Sequence, residues 1–239
     1  MTDPVESYLL RRQPTASRPL LGLTILLVED SRFASEAVRL MCLRSGARIR
    51  RADCLHSAHR HLRTYRPSVA IVDLGLPDGN GEDLIHELVS GATPVQVVLA
   101  TSGDCDGEVR ARAAGAQGFL EKPVHSLGAF QQAILSRLPP EARPLGLRTL
   151  PEDHVNPDML AYRDDIAHVA ELMTGPETDQ PIDYIAQFVS GVARSAEDRP
   201  LVAAAEALAQ AAARGGPAHR ALTELQTVIQ SRLASRAAI

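Results

Sequence analysis

The chain of 239 residues is poor in aromatic residues and in cysteine. It has no tryptophan, and its three cysteines, Cys42, Cys54 and Cys105, are widely spaced. An odd number of cysteines without a CxxC pair disfavours disulfides and structural zinc, and it fits a reducing cytoplasm. No apolar run reaches the roughly 18–20 residues that a transmembrane helix needs. The sequence therefore predicts a cytoplasmic protein that neither binds structural zinc nor spans a membrane.

Lysine is almost absent as well, since 24 of the 25 basic residues are arginine and the exception is Lys122. A single lysine in such a chain indicates a place where a compact ammonium is needed and a planar guanidinium is unsuitable. The formal net charge is −4, and residues 140–239 contain 9 basic and 14 acidic residues. This acidic half disfavours nucleic-acid binding, which needs cationic side chains facing phosphates.

Short apolar runs alternate with amphipathic segments between residues 23 and 138. Continuous apolar strands that alternate with helices are typical of a parallel sheet covered on both faces. The pattern predicts an α/β fold with a five-stranded, doubly wound parallel sheet. The strands are expected at 23–28, 47–51, 69–74, 95–100 and 118–120, and the helices at 33–44, 56–65, 81–89, 108–114 and 127–138.

The flanking segments differ from this pattern in composition. Residues 1–21 are predicted to be a loosely ordered arm ahead of the α/β domain, which spans residues 22–138. The proline-rich residues 139–155 are interpreted as a linker. Residues 156–239 show four amphipathic stretches and are expected to form a small all-α bundle. Because about 80 residues enclose a small core, dimerisation would help to stabilise this bundle.

Polar residues stand at the predicted carboxyl ends of four strands. The first strand ends in Glu29 and Asp30, the third in Asp73, the fourth in Thr101 and the fifth near Lys122. In a doubly wound sheet, ligands bind at this edge. Three neighbouring carboxylates favour a hard divalent cation such as Mg²⁺, and an ammonium and a hydroxyl can bind the oxygens of a phosphoryl group. The set suits phosphoryl transfer onto a carboxylate.

Four segments carry a resemblance to a known family. They are ILLVEDS (25–31), AIVDLGLPDGNG (70–81), VLATSG (98–103) and GAQGFLEKP (115–123). Together they resemble the marker segments of the CheY-like receiver domain of two-component response regulators, over about residues 23–138. The resemblance implies a flavodoxin-like fold and a bacterial phosphoprotein that takes a phosphoryl group from a histidine kinase or a histidine phosphotransfer protein. It also implies no enzymatic activity beyond the protein's own phosphoryl transfer and autodephosphorylation.

The same resemblance assigns roles to single residues. It implies that Asp73 is the phosphoacceptor and that Mg²⁺ is bound by Glu29, Asp30, Asp73 and the backbone carbonyl of Gly75. The chain departs mildly from the commonest pattern here, because Glu29 stands where aspartate is more frequent. Gly75 also lacks a side chain that could shield or orient an attacking water.

Further positions of the family pattern lie on the last two strands. The resemblance implies that Thr101 and Lys122 bind the phosphoryl oxygens, although Ser102, next to Thr101, offers a second hydroxyl. It makes Phe119 the aromatic switch residue and the Lys122–Pro123 bond a cis peptide.

The output of the acidic tail is left open by the residues. The first hypothesis is that phosphorylation switches the tail to form a homodimer or to bind another protein. The second is a phosphorelay intermediate or phosphatase that uses the bundle, with His168 and His219 as the histidines to test. A DNA-binding transcription regulator is the third, and the tail's charge disfavours it.

Overall fold

Five parallel strands form the central sheet of the protein. The computed structural model describes residues 13–145, 150–174, 181–214 and 218–234. Within these residues the strands lie in the order β2-β1-β3-β4-β5, with each neighbouring pair parallel. Their bounds are β1 Thr24–Val28, β2 Arg48–Ala52, β3 Val69–Asp73, β4 Val97–Ser102 and β5 Gly118–Glu121. The predicted doubly wound sheet is confirmed.

Helices cover both faces of the sheet and create two apolar layers. In chain order they are α1 Arg32–Ser45, α2 Leu55–Thr64, α3 Gly81–Ser90, α4 Gly107–Ala113 and α5 Leu127–Leu135. Residues of α1 and α5 pack with one face of the sheet, and residues of α2, α3 and α4 pack with the other. Because β3 and β4 are buried along their whole length, their polar ends are held in a rigid frame.

Local signals explain where α1 begins and ends. The Ser31 hydroxyl accepts a hydrogen bond from the Ala34 amide at 3.0 Å and caps the first turn. Gly46 ends the helix with φ +83°, a left-handed conformation that glycine adopts at little cost. This cap matters for function because α1 begins directly after Glu29 and Asp30.

The α/β domain recruits chain from both predicted flanking segments. Residues 1–12 of the predicted arm lie outside the described residues. Leu20, however, is fully buried in the layer beneath α1 and α5. Val155, in the predicted linker, is fully buried in the same layer, and its amide donates to the His125 carbonyl at 3.0 Å. The prolines interrupt helical periodicity, but they do not prevent the segment from packing, so this part of the linker belongs to the domain.

The tail consists of four helices in the part of the chain that the structure describes. They are α6 Met159–Thr174, α7 Ile182–Ser195, α8 Arg199–Ala213 and α9 His219–Ala234. Residues 175–180 and 215–217, which lie between these helices in the sequence, are outside the described residues. The apolar cluster of the tail includes Phe33 of α1, whose ring meets Tyr162 edge-on with centroids 5.8 Å apart. The tail therefore shares a core with the α/β domain.

A buried carboxylate strengthens this junction. Asp165 of α6 accepts hydrogen bonds from the Ser31 hydroxyl at 2.8 Å, the Arg32 amide at 2.9 Å and the Phe33 amide at 3.0 Å. A negative charge near the first free amides of α1 is favoured by the helix dipole. Burial raises the pKa of Asp165, while these hydrogen bonds act in the opposite direction. Asp165 thus joins the tail to the first turn of α1.

A second carboxylate ties three tail helices together. Asp198 receives two hydrogen bonds from the Arg232 guanidinium, at 2.6 and 2.9 Å, and one from the Tyr162 hydroxyl at 2.8 Å. It also caps α8 by accepting from the Leu201 amide at 3.2 Å. The bonds from Arg232 are the main reason that the pKa of Asp198 lies below its usual value.

No described helix is long and apolar enough to cross a membrane.

This Asp198 cluster gives the tail a defined response to acid. The unfolded chain has an aspartate pKa near 3.9, and the folded pKa is lower, so the unfolded state binds more protons between the two values. The stabilisation is complete above pH ~4 and is lost as the pH falls through the folded pKa. At pH 7, Asp198→Asn is expected to lower the free energy of unfolding by about 2 kcal/mol. Urea titrations followed by circular dichroism measure this, and a variant as stable as the parent would contradict it.

Candidate functional site

The carboxyl ends of the strands bring the predicted polar residues to one place. Asp73, at the end of β3, is paired in register with Thr101 of β4. Glu29 and Asp30 follow β1, the other neighbour of β3. Lys122 follows β5 directly. Since these are parallel strands, all of the groups emerge at the same edge of the sheet.

The three carboxylates are close enough to share one cation. One oxygen from each of Glu29, Asp30 and Asp73 lies within 4.8 Å of the other two. The Gly75 amide donates to Asp73 Oδ1 at 3.3 Å, so the Gly75 backbone is beside this cluster. Carboxylate and carbonyl oxygens are the donors that hard divalent cations prefer. The cluster could therefore hold a metal ion.

Lys122 neutralises part of this negative charge. Its Nζ lies 2.6 Å from Asp73 Oδ2 and 2.8 Å from Glu29 Oε2, and its side chain is only 4% exposed. Although burial opposes protonation, the charges of Asp73 and Glu29 raise the pKa of Lys122 above its usual value. The residue is therefore a buried ammonium held between two carboxylates.

The cluster still carries an excess of negative charge. Burial, followed by the charge of Asp73, raises the pKa of Glu29 well above its usual value. The same two causes raise the pKa of Asp30 to about 7. Three carboxylates face one ammonium, and a further cation would favour the ionised forms of Glu29 and Asp30. The excess of carboxylates over cations thus fits a site whose oxygen atoms bind a metal cation.

The remaining residues of the family pattern surround the cluster. Thr101 is buried, and its hydroxyl donates to the Leu120 carbonyl at 2.8 Å. Ser102 is also buried, and its hydroxyl accepts from the Asp104 amide at 3.1 Å. Phe119 is half-buried and packs with the layer that α2, α3 and α4 cover. The Lys122–Pro123 peptide bond is cis.

Tail residues that the sequence reasoning did not single out also reach the site. The Tyr184 hydroxyl donates to Asp30 Oδ2 at 2.9 Å, and the Gln187 amide donates to Asp104 Oδ2 at 3.0 Å. Both residues belong to α7, of which only the apolar face was identified in the sequence. Their three-residue spacing places them on one side of the helix. The signal available in the sequence was a row of polar residues at helical spacing beside the apolar face of α7.

The histidines of the alternative hypotheses lie in different surroundings. His168 of α6 lines a wide cleft together with Glu29 and Asp30, and its ring meets Phe188 edge-on. His219 is exposed at the start of α9. The relay role of His168 stays a prediction.

Comparison with known proteins identifies the α/β domain. The family described as "Response regulator receiver domain" matches residues 25–134. These residues form a response regulator receiver domain. The match covers the receiver sheet except for Thr24, the first residue of β1, and it includes every residue of the carboxylate and lysine cluster.

Several regulators resemble this receiver domain in sequence. The KDP operon transcriptional regulatory protein KdpE of Escherichia coli (strain K12) is 36% identical over 111 residues, which are 46% of this chain and 48% of KdpE. The virulence transcriptional regulatory protein PhoP of Salmonella typhi is 33% identical over 117 residues, 47% of this chain and 52% of PhoP. The chain thus spans about half the length of the curated relatives it matches.

Solved structures of receiver domains are also similar to part of the chain. The receiver domain of the sensor histidine kinase PA1611 of Pseudomonas aeruginosa PAO1, described with a magnesium ion in its active site cleft, is 21% identical with a TM-score of 0.44. The similarity covers 48% of this chain and 96% of that domain. The receiver domain of a DNA-binding response regulator from Colwellia psychrerythraea 34H is 29% identical with a TM-score of 0.42. That similarity covers 47% of this chain and 94% of the Colwellia domain.

Proposed function

We propose that this protein is a phosphorylation-controlled response regulator in which Asp73 is the phosphoacceptor. One observation carries the proposal: the buried Lys122 ammonium lies 2.6 Å from Asp73 Oδ2, within a cluster whose carboxylates can share a cation. A histidine kinase or a histidine phosphotransfer protein is the expected donor, as for receiver domains in general.

The chemistry follows from the positions of these groups. A carboxylate oxygen of Asp73 attacks the phosphorus, an acyl phosphate forms, and the bond from phosphorus to the donor nitrogen or oxygen breaks. Lys122 pairs with the transferred oxygens, and rotation of the Thr101 hydroxyl from the Leu120 carbonyl provides a further donor. Mg²⁺ bound by Glu29, Asp30, Asp73 and the Gly75 carbonyl would neutralise charge on the phosphoryl group.

Phosphorylation by a small donor tests the proposal. With Mg²⁺ and acetyl phosphate, we expect the full chain to gain one phosphoryl group, measured by intact mass. Asp73→Asn should abolish this gain, whereas the exposed Asp83→Asn, a matched control on α3, should retain it. The phosphoryl group should also be released by hydroxylamine, which cleaves acyl phosphates. An equal gain in Asp73→Asn would contradict the assignment.

The metal site makes a separate prediction. In metal-free buffer, Asp30→Asn is expected to stabilise the protein by on the order of 2 kcal/mol, because it removes one of three mutually repelling carboxylates. Mg²⁺ at a hundred times its dissociation constant should stabilise the parent by about 2.7 kcal/mol. In Asp30→Asn this gain should largely disappear. Thermal melts with and without Mg²⁺ measure both effects, and equal Mg²⁺ shifts in the two proteins would disprove them.

For the output, we propose contacts between proteins and not DNA binding. The support is the acidic composition of residues 140–239, with 9 basic and 14 acidic residues, and the sequence matches to transcriptional regulators cover less than half of this chain. Light scattering with Mg²⁺ and beryllofluoride, a phosphoryl mimic, distinguishes a homodimer from a monomer that needs another partner. Salt-dependent retention on DNA would overturn this output.

A further inference from the structure

One face of α7 carries a polar stripe that runs across the phosphoacceptor site. The stripe consists of Tyr184, Gln187, Gly191 and Arg194, whose spacings of three, four and three residues place them on one side of a helix. The other side of α7 is apolar and belongs to the core of the tail. The helix is thus anchored by one face and presents the other to the receiver domain.

The first half of the stripe contacts two of the loops that hold the site. Tyr184 donates to Asp30 Oδ2 at 2.9 Å. The Gln187 amide fills the place where a side chain on Gly75 would be, because a Cβ built at Gly75 would lie 2.5 Å from Gln187 Cδ. Gln187 is held there by its 3.0 Å hydrogen bond to Asp104. Gln187 of the tail therefore occupies the space that a side chain at position 75 would otherwise fill.

The second half of the stripe passes over the remaining loops. A Cβ built at Gly191 would lie 3.6 Å from Lys122 Nζ, so the backbone of α7 crosses close to the ammonium. A Cβ at Gly103 would lie 2.8 Å from Arg194 Cδ. Together with the first half, α7 touches the chain that follows β1, β3, β4 and β5. This is the face from which a phosphodonor must approach Asp73.

The space beneath α7 is too small for a phosphodonor. Between the helix and Asp73, Gly75 and Lys122 lies a cavity of only about 10 Å³. That is room for about one water molecule. A cleft of about 880 Å³ reaches Glu29 and Asp30 from the side of α2 and α6. A cation can therefore reach these carboxylates through the cleft, but a phosphoryl group with its donor cannot reach Asp73 while α7 is in place.

We propose that α7 is an internal cap on the phosphoacceptor site, and that its docking and the phosphorylation of Asp73 exclude each other. This inference rests on the proposed function of Asp73. Because coupling between two equilibria is reciprocal, phosphorylation weakens the docking of α7 by the same factor by which docking disfavours phosphorylation. Release of α7 from the receiver domain is then the event that changes the surface of the tail.

Loosening the cap should speed up phosphorylation. The double variant Tyr184→Phe/Gln187→Ala removes the hydrogen bonds to Asp30 and Asp104 without changing the apolar face of α7. With acetyl phosphate and saturating Mg²⁺, the rate of acyl phosphate formation on Asp73 in the full chain is expected to rise about tenfold, within the usual range of coupling between sites. The control Tyr65→Phe/Gln210→Ala makes the same deletions at the end of α2 and on the exposed side of α8. It should keep the parent rate.

Two further measurements keep the test decisive. Gly191→Arg introduces a side chain toward Lys122 while raising helix propensity, so it should release the cap without unfolding α7 and give the same acceleration. In the parent, Mg²⁺ with beryllofluoride should accelerate hydrogen exchange of the α7 amides, and Asp73→Asn should prevent this change.

The possible outcomes separate the cap from the function on which it rests. If Asp73 is phosphorylated at the parent rate in both α7 variants and exchange of α7 is unchanged, the cap is overturned and Asp73 remains the phosphoacceptor. A slower rate in the variants also overturns the cap, and it would mean that α7 helps to complete the site. If the parent itself takes no phosphoryl group on Asp73, the proposed function fails and the cap fails with it.

Discussion

Replacement of Lys122 by methionine is expected to slow phosphoryl transfer to Asp73 by about 100-fold, the usual cost of losing one donor that stabilises transition-state charge. Its ammonium contacts Asp73 and Glu29 at 2.6 and 2.8 Å, and we propose that it pairs with the oxygens of the transferred phosphoryl group. Initial rates with acetyl phosphate and Mg²⁺ measure the loss. A Lys122→Met protein that reacts within about threefold of the parent would contradict the assigned role.

The same substitution should also reduce stability, by about 3–5 kcal/mol in metal-free buffer, because it leaves two buried carboxylates without their cation. Lys122→Arg is the charge-matched control. The planar, larger guanidinium does not fit a position where the side chain is 4% exposed, so it should restore only a small part of the rate. The single lysine of a chain with 24 arginines thus stands where the geometry requires an ammonium.

Loss of the Asp165 carboxylate is expected to detach the tail from the receiver domain. Asp165→Ala removes the acceptor of three hydrogen bonds from Ser31, Arg32 and Phe33, and two of the donors are backbone amides at the start of α1. Leaving buried donors without partners costs about 1–3 kcal/mol each, and we expect a total loss of about 3 kcal/mol. Urea unfolding measures the stability, and hydrogen exchange at Arg32 and Phe33 reports on the junction itself.

The neighbouring residue provides a matched control. Asp164 also pairs with Arg32, at 2.9 Å, but the two side chains are 44% and 67% exposed. Surface ion pairs of this kind contribute about 0–1 kcal/mol, so Asp164→Ala should change the free energy of unfolding very little. If the two alanine variants were equally stable, Asp165 would not be the residue that joins the domains. If α7 is the cap that we propose, Asp165→Ala should also accelerate phosphorylation of Asp73.

Much of the receiver fold could be predicted because its signals are local. Buried parallel strands appear as continuous apolar runs, and four of the five predicted strands lie within one residue of the observed bounds at each end. The fourth was predicted at 95–100 and is observed at Val97–Ser102, because Thr101 and Ser102 are polar and still buried within the sheet. The last receiver helix was predicted to end at residue 138 and ends at Leu135. Leu138 is buried although it lies beyond the helix, so the apolar pattern in the sequence is longer than the helix itself.

The amino-acid pattern is enough to predict the parallel sheet and the grouping of polar side chains at one edge of it, namely Glu29, Asp30, Asp73, Thr101 and Lys122. The reason is that the carboxyl ends of parallel strands meet whatever the rest of the chain does. The position of the tail, in contrast, could be seen only in the folded protein. An amphipathic pattern tells which face of a helix is buried, but it does not tell what buries it. The bond from Ser31 to Asp165 joins residues 134 positions apart. The contact of Gln187 with Gly75 is likewise made by side-chain geometry, which no local signal records.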